Sequence, residues 1–97
     1  MIKHISITVK GKVQGVFYRG ATKAVADQLG VKGFIANESN GDVTIAAEAD
    51  PIALEMFLDW CREGPERSEV TLVETHEAEL KNYRNFEIVK KTFNNDH

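Results

Sequence analysis

The first candidate for chemistry in this chain is Val13–Arg19, which reads VQGVFYR. Gly15 permits a tight turn and lets a ligand approach main-chain N–H groups, and a row of such groups ahead of a helix binds anions. Arg19 adds a planar, permanently charged guanidinium that fits phosphate oxygens in pairs. The stretch predicts a phosphate-binding loop. The alternative is an ordinary strand-to-helix connection with a surface arginine, because short glycine motifs have many chance matches.

Asn37 is the second candidate, and it lies just before the Asn40-Gly41 pair. Its phase along a strand is opposite to that of Phe34 and Ala36, so it is expected to point away from the core if those two face it. The loop could then approach Asn37, whose amide would hydrogen-bond a water or a ligand. The alternative is a polar residue that merely precedes a turn.

Nucleophiles and metal ligands are not evident in the sequence. Cys61 lies beside Trp60 on a predicted helix and is interpreted as a small buried apolar residue. No Gly-Lys-Ser/Thr follows the loop as a Walker A motif requires. Asp42, Glu48 and Asp50 have hairpin or capping explanations, so no carboxylate cluster suggests magnesium. The sequence therefore predicts a protein that uses neither a metal nor a cofactor.

This inventory restricts the reaction to a phosphoryl compound whose leaving group departs without being protonated. Acyl phosphates qualify, because a carboxylic acid with a pKa of about 4 leaves as a stable carboxylate at neutral pH. Catalysis then consists mainly of positioning and charge stabilisation. Arg19 and the loop amides would hold the phosphoryl oxygens, and Asn37 would orient the attacking water.

Hydrophobic periodicity predicts the order β-α-β-β-α-β plus a short final strand. The predicted elements are strands at His4–Lys10, Val31–Glu38, Asp42–Ala49, Glu69–Thr75 and Phe86–Val89, and helices over about Gly20–Leu29 and from Pro51 to Gly64. This order predicts both helices on one face of an antiparallel sheet whose other face is largely open. The first and third strands are expected to be parallel neighbours, with right-handed crossovers.

Finer expectations concern turns and faces. Asn40-Gly41 predicts an antiparallel hairpin with a type I′ turn, in which both residues have positive φ. His4 alternates outward and is interpreted as a surface residue. The inner helix faces are predicted to be Ala21, Ala24, Val25 and Leu29 in the first helix, and Leu54, Phe57, Leu58 and Cys61 in the second.

Composition predicts one soluble domain over residues 1–97, with a frayed polar tail at 90–97. The net charge of −3 argues against a nucleic-acid partner, including an RNA-binding sheet of similar topology. No apolar run is long enough to cross a bilayer, no signal peptide is evident, and Cys61 has no partner for a disulfide. A cytoplasmic monomer is the expectation.

Two linked motifs resemble those of the acylphosphatase family. GKVQGVFYR at Gly11–Arg19 matches the signature loop of that family, and GFIAN at Gly33–Asn37 with Asn40-Gly41 matches its second signature. Thr22, Leu29-Gly30, Gly64-Pro65 and Phe86-Glu87-Ile88 also fit. The resemblance extends over about residues 5 to 89. Three positions depart from the family pattern: Gly20, Ala36 and Ala49.

The resemblance implies a ferredoxin-like α/β sandwich that hydrolyses acyl phosphates to a carboxylate and inorganic phosphate without a metal. It implies that Arg19 binds the substrate and that Asn37 positions the water. It also implies that the phosphate-binding loop comprises Gln14, Gly15, Val16, Phe17, Tyr18 and Arg19. The rival interpretation is a non-catalytic module that binds phosphate or another anion, since binding alone needs only Arg19 and the amides.

Overall fold

The computed structural model describes residues 1–90 and places two helices against one five-stranded sheet. The elements in chain order are β1 (Lys3–Lys12), α1 (Tyr18–Leu29), β2 (Lys32–Asn37), β3 (Val43–Ala49), α2 (Pro51–Glu63), β4 (Glu69–Ala78) and β5 (Phe86–Val89). The predicted order and the ferredoxin-like α+β class are confirmed. Of the predicted tail, residues 91–97 lie outside the described residues. Neither helix in residues 1–90 is both long and apolar enough to span a bilayer.

The strands lie in the order β4-β1-β3-β2-β5. β1 and β3 are neighbours as predicted, but they run antiparallel, with Ile7 opposite Ile45, so the expected parallel pairing is wrong. Each helix instead connects two strands of the same direction that have a third strand inserted between them, which is the split βαβ arrangement. The sheet is mixed rather than purely antiparallel, because β5 pairs parallel with β2.

The core lies between the sheet and the two helices. Alternate strand residues such as Ile7, Ile35 and Ile45 are almost fully buried there, together with Phe57 of α2 and Phe86 of β5. The rings of Phe57 and Phe86 meet edge to face at 6.0 Å. Burial of such side chains is the main favourable term in folding. Burial of these side chains determines which face of each strand packs against the helices.

The buried face of α1 differs from the predicted one. The helix begins at Tyr18, and its buried residues are Tyr18, Thr22 and Ala26, whereas Ala24 is exposed. Tyr18 is the cause: its ring enters the core, and its hydroxyl donates a 2.7 Å hydrogen bond to the carbonyl of Cys61. With Tyr18 fixed in this way, the face of α1 that points to the core consists of the residues at i, i+4 and i+8 from Tyr18. Val25 and Leu29 of the predicted face are partly buried.

The ends of α2 agree with the sequence. The Asp50 carboxylate accepts a 2.9 Å hydrogen bond from the N–H of Ala53 as the N-cap, and Pro51 occupies the first turn. Gly64 ends the helix with φ 71°. Leu54, Phe57 and Cys61 are buried, and Leu58 is partly buried, as predicted.

The hairpin between β2 and β3 is confirmed as antiparallel, but its turn is not type I′. Gly41 has φ 96°, whereas the φ of Asn40 is not positive. The N–H of Gly41 donates to the carbonyl of Glu38, and the Asn40 side chain accepts from the N–H of Asp42. An Asx turn at Asn40 therefore replaces the second left-handed residue.

β1 and β4 are longer than predicted, because hydrogen bonds between the two strands extend both beyond their apolar segments. They pair from His4 opposite Ala78 to Lys12 opposite Glu69, across a bulge between Lys10 and Gly11. Gly11 has φ 127°, and a Cβ there would lie 2.1 Å from the Glu69 carbonyl oxygen. Gly11, which the sequence pattern places at the end of a strand, therefore lies inside β1 at a bulge where the backbone of β4 leaves no room for a side chain.

The outer face of the sheet is partly covered, and His4 is buried rather than exposed, so its prediction is wrong. His4 Nδ1–H donates a 2.8 Å hydrogen bond to the Glu48 carboxylate, which also accepts the N–H groups of Lys81, Asn82 and Tyr83. Glu48 therefore has neither a hairpin nor a capping role. It holds the connection between β4 and β5 against the sheet.

Candidate active site

Five of the predicted site residues line a pocket of about 270 Å³, which lies where α1 begins and β2 and β5 end. The loop between β1 and α1 forms one side of it, and Asn37 and Ile88 contribute from the neighbouring strands. Arg19 and Asn37, which are 18 positions apart in the sequence, both line this pocket. Tertiary structure thus brings together the two side chains that the sequence singled out.

Backbone geometry makes the loop a candidate anion site. Gly15 has φ 74° and Phe17 has φ 64°, so two left-handed residues bend the chain just ahead of α1. Phe17 is the N-cap, and no side chain in the described range 1–90 caps the helix N-terminus. The first N–H groups of a helix have no partner within the helix, and the macrodipole makes them attractive to negative charge. The residues that carry them, Tyr18, Arg19 and Gly20, line the pocket, where an anion could accept from them.

Arg19 brings a permanent positive charge to this pocket. Its side chain is half-buried, and it forms no hydrogen bond or ion pair with any residue in 1–90. A partly exposed guanidinium without a protein partner can exchange its water for the oxygens of an anion. Its five donors in a fixed fork fit two oxygens of a phosphoryl group. Arg19 is therefore available for a ligand.

Asn37 ends β2 on the helix-facing side of the sheet. Ile35 is a core residue, and Asn37 shares its side, whereas Phe34 packs against Tyr83 on the outer face, with ring centroids 6.0 Å apart. The premise that Phe34 faces the helix core is therefore wrong. The Asn37 Oδ1 atom is buried and has no hydrogen-bond partner among residues 1–90. A buried acceptor without a partner is rare, and this one lines the pocket.

The remaining loop residues divide by side-chain position. Gly15, Phe17 and Tyr18 line the pocket with Arg19, whereas the side chains of Gln14 and Val16 do not. Val16 packs against the core. Gln14 Nε2 donates 2.8 Å hydrogen bonds to the carbonyls of Glu38 and Asp42. Gln14 thus joins the loop to the hairpin that follows Asn37, a contact that the sequence pattern could not indicate.

Tyr18 and Cys61 have structural positions. Tyr18 is almost fully buried, and burial raises the pKa of its hydroxyl far above its ordinary value. Burial also raises the pKa of the Cys61 thiol to about 12, so at neutral pH this side chain is a neutral thiol inside the core. The interpretation of Cys61 as a buried apolar residue is confirmed. Ala36 and Ala49 are buried strand residues and do not line the pocket.

Ile88 and Lys90 also line the pocket, and neither was predicted from the sequence as a site residue. They reach the pocket because β5 pairs parallel with β2, which places Ile88 opposite Ile35 and carries Lys90 past the end of that pairing toward Asn37. Lys90 has no ion-pair partner within the part of the chain that the structure describes. Only the register of this strand pair could have revealed either residue.

Fold and pocket together define a class of protein: a small ferredoxin-like α+β domain with a candidate anion-binding loop between its first strand and first helix. A family model described as Acylphosphatase matches residues 5–88 of the chain. The protein belongs to the acylphosphatase family. The resemblance that the two sequence motifs indicate is thereby confirmed.

Individual relatives agree with this assignment. An acylphosphatase from Dehalococcoides mccartyi is 49% identical over 82 residues, which cover 82% of this chain and 90% of the relative. A solved acylphosphatase from Coxiella burnetii superposes with a TM-score of 0.88 at 33% identity, covering 91% of this chain and 93% of that one. The acylphosphatase from Bacillus subtilis gives the same TM-score and identity, covering 92% of this chain and 99% of that one.

Proposed function

We propose that this protein hydrolyses the carboxyl–phosphate bond of acyl phosphates, with Arg19 and Asn37 as its catalytic residues. The observation that carries the proposal is one pocket that holds a guanidinium, a buried amide oxygen and a helix N-terminus, none of which has a side-chain partner among residues 1–90. The guanidinium and the N–H groups suit the phosphoryl group. The amide oxygen suits the hydrogen of a water. Membership of the acylphosphatase family supports the same reaction.

In the proposed mechanism, the phosphoryl oxygens accept hydrogen bonds from Arg19 and from main-chain N–H groups of Gly15–Arg19. A water donates one hydrogen to Asn37 Oδ1 and directs its lone pair at phosphorus, opposite the bond to the acyl oxygen. As the new P–O bond forms, the acyl P–O bond breaks, and its electron pair leaves with the carboxylate. The water proton passes to solvent, giving inorganic phosphate.

This chemistry places few demands on the protein. The carboxylate leaves without protonation, so the site needs no general acid. Donors fixed around the phosphoryl group stabilise the charge of the transition state in advance. The proposal includes action without a metal or an organic cofactor. It also includes a cytoplasmic monomer that binds neither nucleic acid nor membrane.

Hydrolysis of benzoyl phosphate by the purified protein, with and without EDTA, tests this function. We expect the native protein to turn over the substrate equally well with EDTA. Arg19→Gln is expected to lose both turnover and inhibition by phosphate, because charged hydrogen bonds worth about 1.5–3 kcal/mol each disappear. Asn37→Ala is expected to retain phosphate binding and lose turnover. An active Asn37→Ala variant would remove Asn37 from the mechanism.

The rival function is a non-catalytic anion-binding module with the same loop. It predicts that the native protein binds inorganic phosphate through Arg19 but does not hydrolyse benzoyl phosphate at any protein concentration. Binding measured by calorimetry beside the hydrolysis assay separates the two. The unpartnered Asn37 Oδ1 favours the enzyme, because binding the phosphate oxygens requires donors and not another acceptor.

A further inference from the structure

Phe17 lines the pocket, and the proposed mechanism uses its main-chain N–H group but not its side chain. Its side chain is 75% exposed, although it is aromatic and lies beside Arg19. Its φ of 64° is uncommon for a residue with a bulky side chain. Such conformations are concentrated at functional sites, where the surrounding structure holds them. The conformation directs a large apolar group to the pocket instead of the core.

Gly20 allows the ring of Phe17 to lie where it does. A Cβ at Gly20 would lie 2.4 Å from Cε1 and 2.7 Å from Cζ of Phe17, distances at which the ring would have to move. The ring therefore rests on the backbone at the start of α1. Gly20 is one of the three departures from the family pattern, and this contact gives it a physical reason in this chain.

Ile88 adds a second exposed apolar side chain to the same pocket. It is 40% exposed on β5 and lines the pocket with Phe17. We call these two side chains the apolar wall. The pocket also contains the polar groups of Arg19 and Asn37, and none of the residues in 1–90 that line it carries a carboxylate. It therefore offers donors for a phosphoryl group and apolar surface for whatever that group is attached to.

We propose that the apolar wall of Phe17 and Ile88 binds the acyl group of the substrate and makes the protein selective for acyl phosphates with apolar, preferably aromatic, acyl groups. This inference rests on the proposed function. When Arg19 and the loop amides hold the phosphoryl group, the acyl group must extend from it along the pocket surface. A phenyl ring would cover the exposed face of Phe17, whereas an acetyl group is too short to bury much of it.

The test compares benzoyl phosphate with acetyl phosphate in the native protein, Phe17→Ala and Ile88→Ala. The ratio of kcat/KM for benzoyl phosphate to that for acetyl phosphate is expected to fall about five- to tenfold in Phe17→Ala, and less in Ile88→Ala. Ile52→Ala is the matched control, because Ile52 is 73% exposed on α2, away from the pocket. An unchanged ratio in Phe17→Ala would overturn the proposal.

Gly20→Ala provides a second variant that leaves the Phe17 side chain intact. The added methyl displaces the ring, so the ratio is expected to fall in this variant too. If instead both substrates lose equally in Gly20→Ala and Phe17→Ala, the ring only shapes the loop, and the selectivity proposal is wrong.

Binding of inert analogues separates this inference from the proposed function. Phenacylphosphonate and acetonylphosphonate carry a methylene in place of the bridging oxygen and cannot be hydrolysed. Calorimetry is expected to show tighter binding of phenacylphosphonate, with the preference reduced in Phe17→Ala. Tighter binding of phenacylphosphonate without turnover of any acyl phosphate would reject the proposed hydrolase function but support binding of apolar groups by the apolar wall. Equal affinities for both analogues would reject the wall, whatever the turnover.

Discussion

The side-chain amide of Gln14 donates a 2.8 Å hydrogen bond to the carbonyl of Glu38, the residue that follows Asn37. The same Nε2 atom donates at 2.8 Å to the carbonyl of Asp42, on the other side of the hairpin mouth. Gln14 thus connects the loop that carries the anion site to the hairpin that carries Asn37. We therefore expect this connection to set the distance between the phosphoryl group and the water in the proposed mechanism.

Gln14→Ala is expected to lower kcat about tenfold while changing the inhibition constant of phosphate much less. The reason is that the loop amides and Arg19 remain, whereas Asn37 loses its fixed position relative to them, and small misplacements of reacting groups are costly. Steady-state kinetics with phosphate as inhibitor measures both quantities. Gln28→Ala, at an exposed glutamine of α1, is the control. Equal losses in kcat and in phosphate affinity would show that the whole loop has moved.

Glu48 is expected to make the free energy of unfolding depend on pH in the acidic range. Burial raises the pKa of its carboxyl, but hydrogen bonds from the Lys81 N–H, from His4 and from the Tyr83 N–H outweigh that effect and leave the pKa lowered. A lowered pKa stabilises the folded state above the ordinary value of about 4.3, and this stabilisation is lost as pH falls through the folded-state pKa.

Urea unfolding of Glu48→Gln between pH 3 and pH 7 tests this role. The variant is expected to be about 1–3 kcal/mol less stable at pH 7, because a neutral amide serves the N–H donors poorly, and to lose less stability than the native protein below pH 5. Glu55→Gln, at an exposed position of α2, should follow the native curve. Parallel curves for native protein and Glu48→Gln would contradict the assignment.

Lys90 is expected to strengthen phosphate binding by long-range attraction. It lines the pocket that contains Arg19, and its charge has no partner among residues 1–90. Lys90→Gln should raise the inhibition constant of phosphate about two- to fivefold at low ionic strength, with little difference near 1 M salt, where the Debye length is about 3 Å. Lys32→Gln removes an exposed charge at the opposite end of β2 and serves as control. A salt-independent effect would indicate direct contact or altered folding.

Gly33 is expected to tolerate no side chain. It begins the GFIAN motif, its φ is 143°, and a Cβ there would lie 1.7 Å from the carbonyl oxygen of Ala46 on β3. Gly33→Ala should destabilise the protein by more than about 3 kcal/mol, because backbone must move on both strands. Gly41→Ala, with φ 96° and open space around it, should cost about 1 kcal/mol. Denaturant midpoints of the two variants compare them, and equal midpoints would refute the crowding argument.

The sequence by itself determined the elements and both candidate catalytic residues. Periodicity predicted the seven elements, and the Asp50 cap and the Gly64 end of α2 were readable because the responsible atoms lie within a few residues of each other. Arg19 and Asn37 could be proposed from the sequence because each lies in one of two linked motifs, GKVQGVFYR and GFIAN, that resemble those of the family. Signals of this kind depend on neighbours along the chain, and a single sequence contains them.

Only the tertiary structure decided what depends on pairing between distant segments. His4 and Glu48 are 44 positions apart, and an alternating pattern cannot distinguish a histidine in water from one paired with a buried carboxylate. The face of α1 was set by the Tyr18 hydroxyl on the carbonyl of Cys61, and Ile88 entered the pocket through a parallel register. Periodicity reports burial, whereas partners and register follow from how the sheet and helices pack.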